Sequence, residues 1–371
     1  MQHTADILVV GAGLGYDVLT VAPARPADER TSALLAGSIA FLDRLGVWER
    51  AKASAAPMRS LRLVDATGRL IRAPEVTFHA AEIGLDAFGW NIANTALTDA
   101  LEAVFAERGL RRLDAAVVHV AGEAGQAVAT LSDGGTVSAK LVVAADGRRS
   151  KVRESVGIGV GAWRYDQAAL VVNLRHTRPH EDTSTEFHTE AGPFTLVPLP
   201  GLRSSLVWVS RPADAESRMA LSDDALAAEI ETRSASLLGA TSLDGRRQVF
   251  PLSGMNAARF AAGRAVLVGE AGHLFPPIGA QGLNLGYRDV ADLGTVLARR
   301  PADPGAADRL AAYDRARRAD VLTRTAAVDA LNRTLLTGFL PVQGLRGLGL
   351  FLLDRVPALR RALMRQGVDA A

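Results

Sequence analysis

The stretch that decides the fold is Gly263–Asp292, GRAVLVGEAGHLFPPIGAQGLNLGYRDVAD. Ala265–Val268 is a short apolar run closed by Gly269, the pattern of a strand buried on both faces. Glu270 and the small pair Ala271-Gly272 follow. Pro276 and Pro277 then stiffen a loop that Gly279 and Gly282 loosen. Leu283, Leu285, Val290, Leu293 and Leu297 recur at helical spacing. The segment reads strand, acidic turn, loop, helix. A carboxylate at the C-terminal end of such a strand can accept hydrogen bonds from sugar or polyol hydroxyls. Bare backbone at Gly279 and Gly282 lets a flat ring come close. A helix starting near Leu283 aims free N–H groups at that ring and favours a partner that gains negative charge.

Toward the N-terminus, Asp6–Val10 is an apolar strand running into Gly11-Ala12-Gly13. A dinucleotide-binding unit opens this way, with glycines admitting a pyrophosphate to the N-terminus of the next helix. Here Leu14-Gly15 leads straight to Tyr16–Val21, which reads as the second strand, and Tyr16 stands where a third glycine is expected. Parallel neighbours need a crossover of about a dozen residues or more, whereas four or five make only a hairpin. The expectation is therefore an unseen first helix of roughly 12–16 residues between Gly13 and Leu14, rather than a true deletion. No acid closes the second strand, where a ribose is normally held; Asp28-Glu29-Arg30 follows. Ser32–Val47 reads as a helix with Leu34, Leu35, Ser38, Leu42 and Leu45 on one face.

Leu61–Phe78 alternates around Ala66-Thr67-Gly68 and reads as a hairpin. Trp90–Asn94 leads into a helix with Leu97, Leu101, Val104 and Phe105 inward, and Asn94 is placed as its N-cap. Leu113–Leu131 gives two strands, the first carrying Val117. Leu141–Ala144 is a buried strand followed by Ala145-Asp146-Gly147-Arg148-Arg149-Ser150-Lys151-Val152-Arg153. From Tyr165 to Pro251 strands dominate: Ala168–Leu174, Thr183–His188, Phe194–Leu199 and Ser204–Val209, interrupted by a helix over Ala225–Leu238. Alternation leaves open which face of this layer is inward, so Phe187, Phe194, Val207 and Trp208 are candidates for a pocket wall or for plain core. Asp308–Asn332 is a long helix. The Leu- and Gly-rich stretch from Leu335 to Leu353, with Arg346, Arg355, Arg360, Arg361 and Arg365 about it, suits a helical cap or a face lying on an anionic membrane.

The run G-E-A-G-H-x-x-x-P-I-G-A-Q-G-L-N resembles the second FAD motif of the single-component flavoprotein monooxygenases, most of all the ubiquinone-biosynthesis hydroxylases of UbiH/UbiF type. Asp146-Gly147 with Ser150 and Arg153 resembles that family's Asp-Gly motif. The resemblance covers about Asp6 to Met364. It implies a p-hydroxybenzoate hydroxylase-like α/β fold: a Rossmann-like FAD-binding domain (1–59, 92–160 and 252–300), an inserted antiparallel-sheet substrate domain (60–91 and 161–251) and a C-terminal helical region (301–371). It places the cofactor on Gly11, Gly13, Arg30, Asn94, Val117, Asp146, Gly147, Glu270, Pro277, Gly282, Leu283 and Asn284. Most relatives carry Asp where Glu270 stands. The implied chemistry is NAD(P)H reduction of FAD, then hydroxylation of an electron-rich aromatic ring by a flavin C4a-hydroperoxide. It asks no acid or base of the protein, only a dry flavin face from the loop holding Pro277, Gly279 and Gln281. The implied substrate is a polyprenylated phenol.

Composition fits this reading. A chain of 371 residues can bury a large core and form two domains. With a net charge of +2, nothing marks a nucleic-acid binder. The absence of cysteine excludes disulfides, thiolate metal sites and a cysteine nucleophile, and fits a reducing, cytoplasmic setting. The N-terminus has no secretory pattern, and no apolar run is long enough to span a bilayer. Halogenases of related fold carry Trp-x-Trp-x-Ile-Pro, whereas Trp48, Trp90, Trp163 and Trp208 stand alone. A non-catalytic scaffold in a ubiquinone-assembly complex is the reading from another class, and it gains weight if the first helix is truly absent.

Overall fold

The computed structural model describes residues 1–10, 17–24, 28–68, 72–276, 280–298, 302–336 and 355–368. Two large sheets organise the chain. The first is eight-stranded among the described residues, and its parallel centre is built from β1 (Gln2–Val10), β2 (Val18–Val21), β6 (Thr136–Ala144) and β12 (Ala265–Leu267) in the order β12-β6-β1-β2. These strands are apolar because both faces are covered. Leu141, Val142, Val266 and Leu267 are fully buried, each such side chain contributing roughly 1.5–3 kcal/mol of transfer free energy. Helix α5 (Gln281–Leu297) supplies Leu285, Leu293 and Leu297 to this core, and α6 (Ala307–Leu336) supplies Leu310, Tyr313 and Val321.

The second sheet has nine strands among the described residues, including β4 (Ser60–Asp65), β7 (Val160–His176), β8 (Thr183–Thr189), β9 (Gly192–Leu199), β10 (Arg203–Ser210) and β11 (Gln248–Ala257), ordered β11-β7-β10-β9-β8-β4. Alternation decides its two faces. Phe187, Phe194 and Trp208 point to one side and pack with Leu226 and Ile230 of α4 (Asp223–Arg233). They are core behind the sheet, which settles the alternative in favour of plain core. Val207 points the other way, beside Val209 and Ala169. Helix α4 starts at Asp223 because Ser222 caps it, accepting the Ala225 N–H. A further short helix, Pro212–Met219, has no counterpart in the sequence reading.

Three expectations change. First, β1 and β2 do pair in parallel, with Ile7 opposite Val18, yet only residues 11–17 lie between them. The 371-residue sequence has nothing further at this point, so the crossover is short and no long helix is hidden in it. The chain needs to retrace only about three strand positions, roughly 10 Å, which a short connection can span. The Gly13–Leu14 junction itself lies outside the described residues. Second, Thr31–Leu35 is a strand, β3, and only Ala36–Arg44 is helical (α1). Its backbone pairs antiparallel with β5 (Gly89–Ala93), where Gly89 passes so near the Leu34 carbonyl that a Cβ would collide with it. Third, α2 (Asn94–Glu107) has Ala93 at its N-cap, and Asn94 is already inside the helix. Its side chain is engaged elsewhere, as described below.

Candidate active site

The geometry begins at one sheet edge. Val10 is in register with Ala144, and Ala144 with Leu267. The three strands therefore end side by side, about 4.8 Å apart, at their C-terminal edge, where open α/β sheets bind their ligands. The turns leaving that edge after the second and third of these strands are Asp146-Gly147 and Gly269-Glu270; Gly11-Ala12-Gly13 follows the first in sequence. Gly11 and Gly13 lie outside the described residues, as do Pro277 and Gly279.

Asp146 opens the second turn. Its Oδ2 accepts the N–H groups of Lys151 (2.8 Å) and Val152 (3.3 Å), while its Oδ1 is buried with no partner among the described residues. Gly147 takes φ +80° with open space where a Cβ would stand. Ser150 caps α3 (Lys151–Ser155) by accepting the Arg153 N–H at 3.0 Å. The buried Arg153 guanidinium then donates to the Ala271 carbonyl at 2.7 Å and to the Arg148 carbonyl at 2.8 Å. This ties the Asp-Gly turn directly to the Glu270 turn. Burial pulls the Arg153 pKa below its ordinary value, partly opposed by Asp146 and Glu154.

The Glu270 turn is fixed from behind. Gly269, at φ +58°, donates its N–H to Asp289 Oδ2 at 2.7 Å, and the buried His273 Nε2 meets the same oxygen at 2.7 Å. Arg317 Nε stands 2.7 Å from Asp289 Oδ1, off the line of a good hydrogen bond, and Arg317 Nη1 reaches Asp292 at 2.6 Å and Asp320 at 3.0 Å. Burial works against the Arg317 charge, but Asp289, Asp292 and Asp320 together more than offset it and raise its pKa. Asp289 and Arg317 were not among the residues singled out from sequence. The signal was present: Asp289 sits on the apolar face of α5 between Leu285 and Leu293.

The α5 N-terminus follows Ala280, which is left-handed at φ 54° and gives no side-chain cap. Gln281, Gly282 and Leu283 form its first turn; a Cβ on Gly282 would meet nothing, and Leu283 is exposed. The amide of Asn284 is spent inside the protein. Its Oδ1 accepts from Leu35 N (2.8 Å) and Ser38 Oγ (2.7 Å), and its Nδ2 donates to the Ala33 and Ala280 carbonyls. Asn284 thus staples α5 to β3 and α1.

Arg30 forms a forked pair with Asp28, Nε to Oδ1 at 2.8 Å and Nη2 to Oδ2 at 2.7 Å. The pair drops the Asp28 pKa to about 2. Asn94 Nδ2 donates to the same carboxylate at 2.8 Å, and Asn94 Oδ1 accepts from Ser32 Oγ at 2.6 Å. Arg30 also lies over the Phe250 ring, 5.3 Å from its centre, and feels the charge of Glu270. Val117 is buried in the core of the first sheet. No cluster of metal-ligating side chains occurs among the described residues.

These features suit the flavin half of FAD. The helix N-terminus is uncapped and open at Gly282, Glu270 lies in the turn after β12, and Asp146 carries a buried oxygen with no donor among the described residues. A family model described as an FAD binding domain matches residues 5–327. The chain belongs to that family. This flavoprotein is an FAD-dependent aromatic monooxygenase. It is 35% identical to the ubiquinone hydroxylase UbiL of Rhodospirillum rubrum, over 99% of this chain and 90% of that protein. It is 31% identical to the 3-demethoxyubiquinol 3-hydroxylase of Escherichia coli, over 98% of each. Those alignments run over 396 and 391 residues, longer than this flavoprotein's 371, so the relatives hold residues that it lacks. Its fold is similar to p-nitrophenol 4-monooxygenase of Pseudomonas putida (TM-score 0.78, 19% identity, covering 99% of this chain and 98% of that one). It is similar also to Klebsiella pneumoniae HpxO complexed with FAD (TM-score 0.77, 18% identity, covering 99% and 100%).

Proposed function

We propose that this flavin monooxygenase works in ubiquinone biosynthesis, using NAD(P)H and O₂ to hydroxylate the ring of a polyprenylated phenol. The observation that carries the reading is the shared edge, with Val10, Ala144 and Leu267 in register and a sequence motif following each strand. FAD, when bound, supplies the oxygen activation. The chain's own residues bind, orient and exclude water. Glu270 accepts hydroxyls of the ribityl chain. Asp146 and the open backbone at Gly147 receive the cofactor's sugar–phosphate part. The first-turn N–H groups of α5 favour the negative charge that the ring gains on reduction. Arg30 adds a positive charge near the same edge. Pro277, Gly279 and Gln281 form the flavin face that keeps water out. The FAD-binding segments and the inserted substrate layer keep the boundaries given above.

The purified protein is expected to be yellow, to oxidise NAD(P)H faster with a prenylated phenol, and to release a product one oxygen atom heavier. A colourless, stably folded protein that gains no colour with added FAD would instead support the scaffold reading, which the short β1–β2 crossover favours. Peripheral membrane contact belongs to the same proposal. Helix α7 (Pro357–Val368) is held by Arg360 on Glu82 and by buried Met364, leaving Val356, Leu359 and Leu363 exposed near Arg361 and Arg365. No helix among the described residues is long and apolar enough to cross a membrane.

A further inference from the structure

The parallel sheet continues past β1 to β2, and on that side it is equipped differently. An open sheet that binds a dinucleotide uses three devices there. Glycines after β1 let the pyrophosphate come close, the next helix receives it on its N-terminus, and an acid at the end of β2 accepts the hydroxyls of the adenosine ribose. The glycines are present in the sequence as Gly11 and Gly13. The helix and the acid can each be checked against residue counts and hydrogen bonds.

Only residues 11–17 join β1 to β2. That number falls short of two full helical turns even with nothing left over for entry and exit. Where β2 ends, the chain reads Ala22-Pro23-Ala24, with neither an acid nor a hydroxyl. The backbone there has no donor to spare. Ala22 gives its N–H to the Leu113 carbonyl at 3.1 Å, Pro23 has none, and Ala24 gives its N–H to Asp114 Oδ1 at 2.9 Å. The next acid along the chain is Asp28. Its Oδ1 accepts the backbone N–H of Arg30 at 3.1 Å and Arg30 Nε at 2.8 Å. Its Oδ2 accepts Arg30 Nη2 at 2.7 Å and Asn94 Nδ2 at 2.8 Å. A carboxylate has about four lone-pair sites, so Asp28 has none left for a ribose. Asp114 follows the neighbouring strand Arg111–Leu113; it is exposed and already braces Ala24.

The other side of the edge keeps its binding groups free. Asp146 Oδ1 is buried with no partner among the described residues, Gly147 is open where a Cβ would stand, Glu270 is exposed, and the N-terminus of α5 has no side-chain cap. We propose that the protein holds its cofactor by the flavin mononucleotide half alone, and therefore binds FMN about as tightly as FAD. The proposal rests on the flavin-site assignment above. FAD is FMN joined to AMP, so the two ligands present the same ring, ribityl chain and first phosphate to Asp146, Glu270 and α5. They differ only in what the β2 side could hold. A hydrogen bond to a charged group typically carries about a tenfold to hundredfold preference. With no such bond made to the AMP half, the two affinities stay within about tenfold of each other.

The test is equilibrium titration of the apo-protein with FAD and, separately, with FMN, each followed by flavin fluorescence. The two dissociation constants are expected to agree within about tenfold, and a large excess of AMP should leave the FAD titration unchanged. FAD bound more than about tenfold more tightly than FMN overturns the proposal, because at least one strong contact to the AMP half must then exist. Displacement of FAD by AMP overturns it too. Either of those results leaves the hydroxylase reading standing, since that reading asks only that FAD binds. If neither flavin binds, the flavin-site assignment fails and this proposal fails with it. The measurement uses the unaltered chain, so the folding of a variant does not enter.

Discussion

The parallel sheet offers two connections next to the cofactor edge, and they are built unlike each other. From β12 the chain enters the Glu270 turn and then the seventeen-residue helix α5. That unit is clamped by Asp289 on Gly269, Arg153 on Ala271, and Asn284 on β3. From β1 the chain returns to β2 in residues 11–17 alone, with no room for a long crossover helix. The lesson is that the two connections at this edge are built lopsidedly. One carries a helix N-terminus and a braced turn; the other has seven residues in all, 11–17.

The strongest way to break the contrast is to remove the brace. Asp289→Ala leaves Arg317 buried without its main counter-charge, a change that typically costs 3–5 kcal/mol. Urea unfolding should show a loss of that size, and FAD should wash out on gel filtration. A variant as stable as wild type would mean that Asp289 carries no such load. Asn284→Ala is next: four hydrogen bonds, one to a buried group and three to part-buried ones, are lost, and about 1–3 kcal/mol should go with them. Its FAD dissociation should quicken, read by the return of free-flavin fluorescence on dilution. Asp146→Ala removes two backbone caps and the unpartnered oxygen, and should weaken flavin retention or slow reduction by NAD(P)H. Unchanged FAD content with unchanged reduction kinetics would clear Asp146 of any role.

The smallest effect belongs to Asp28. Its folded pKa, lowered to about 2 by Arg30, lies below the ordinary carboxylate value, so its contribution to stability is present above about pH 4 and lost as pH falls toward 2. The group is partly exposed, so the change in melting temperature over that window should be slight. An NMR titration of the Asp28 carboxyl should give a midpoint near 2, moving up to the usual range in Arg30→Leu. A midpoint near 4 in wild type would show that the fork does not persist in solution.

Much of this edge could be read from the chain. Three apolar runs, each closed by Gly or Asp-Gly, announced the strand ends because a strand buried on both faces leaves an uninterrupted apolar signal. What failed depended on distant partners. Ser32–Leu35 looked helical by spacing, but Gly89–Ala93, far along the chain, claims its backbone. Asn94 looked like a cap, but Asp28 and Ser32 hold its side chain. The inward face of the nine-stranded sheet was undecidable, since alternation marks two faces without saying which one α4 will cover. The short crossover was seen plainly in the sequence and misjudged: further residues were supplied where the chain has only residues 11–17.

Titration of apo-protein with FAD, followed by flavin fluorescence, bears most directly on whether three turns serve one cofactor. One FAD per chain should bind to wild type, and Asp146→Ala and Glu270→Ala should each weaken that single site. A protein that binds no FAD, or whose affinity ignores both substitutions, would contradict a shared edge.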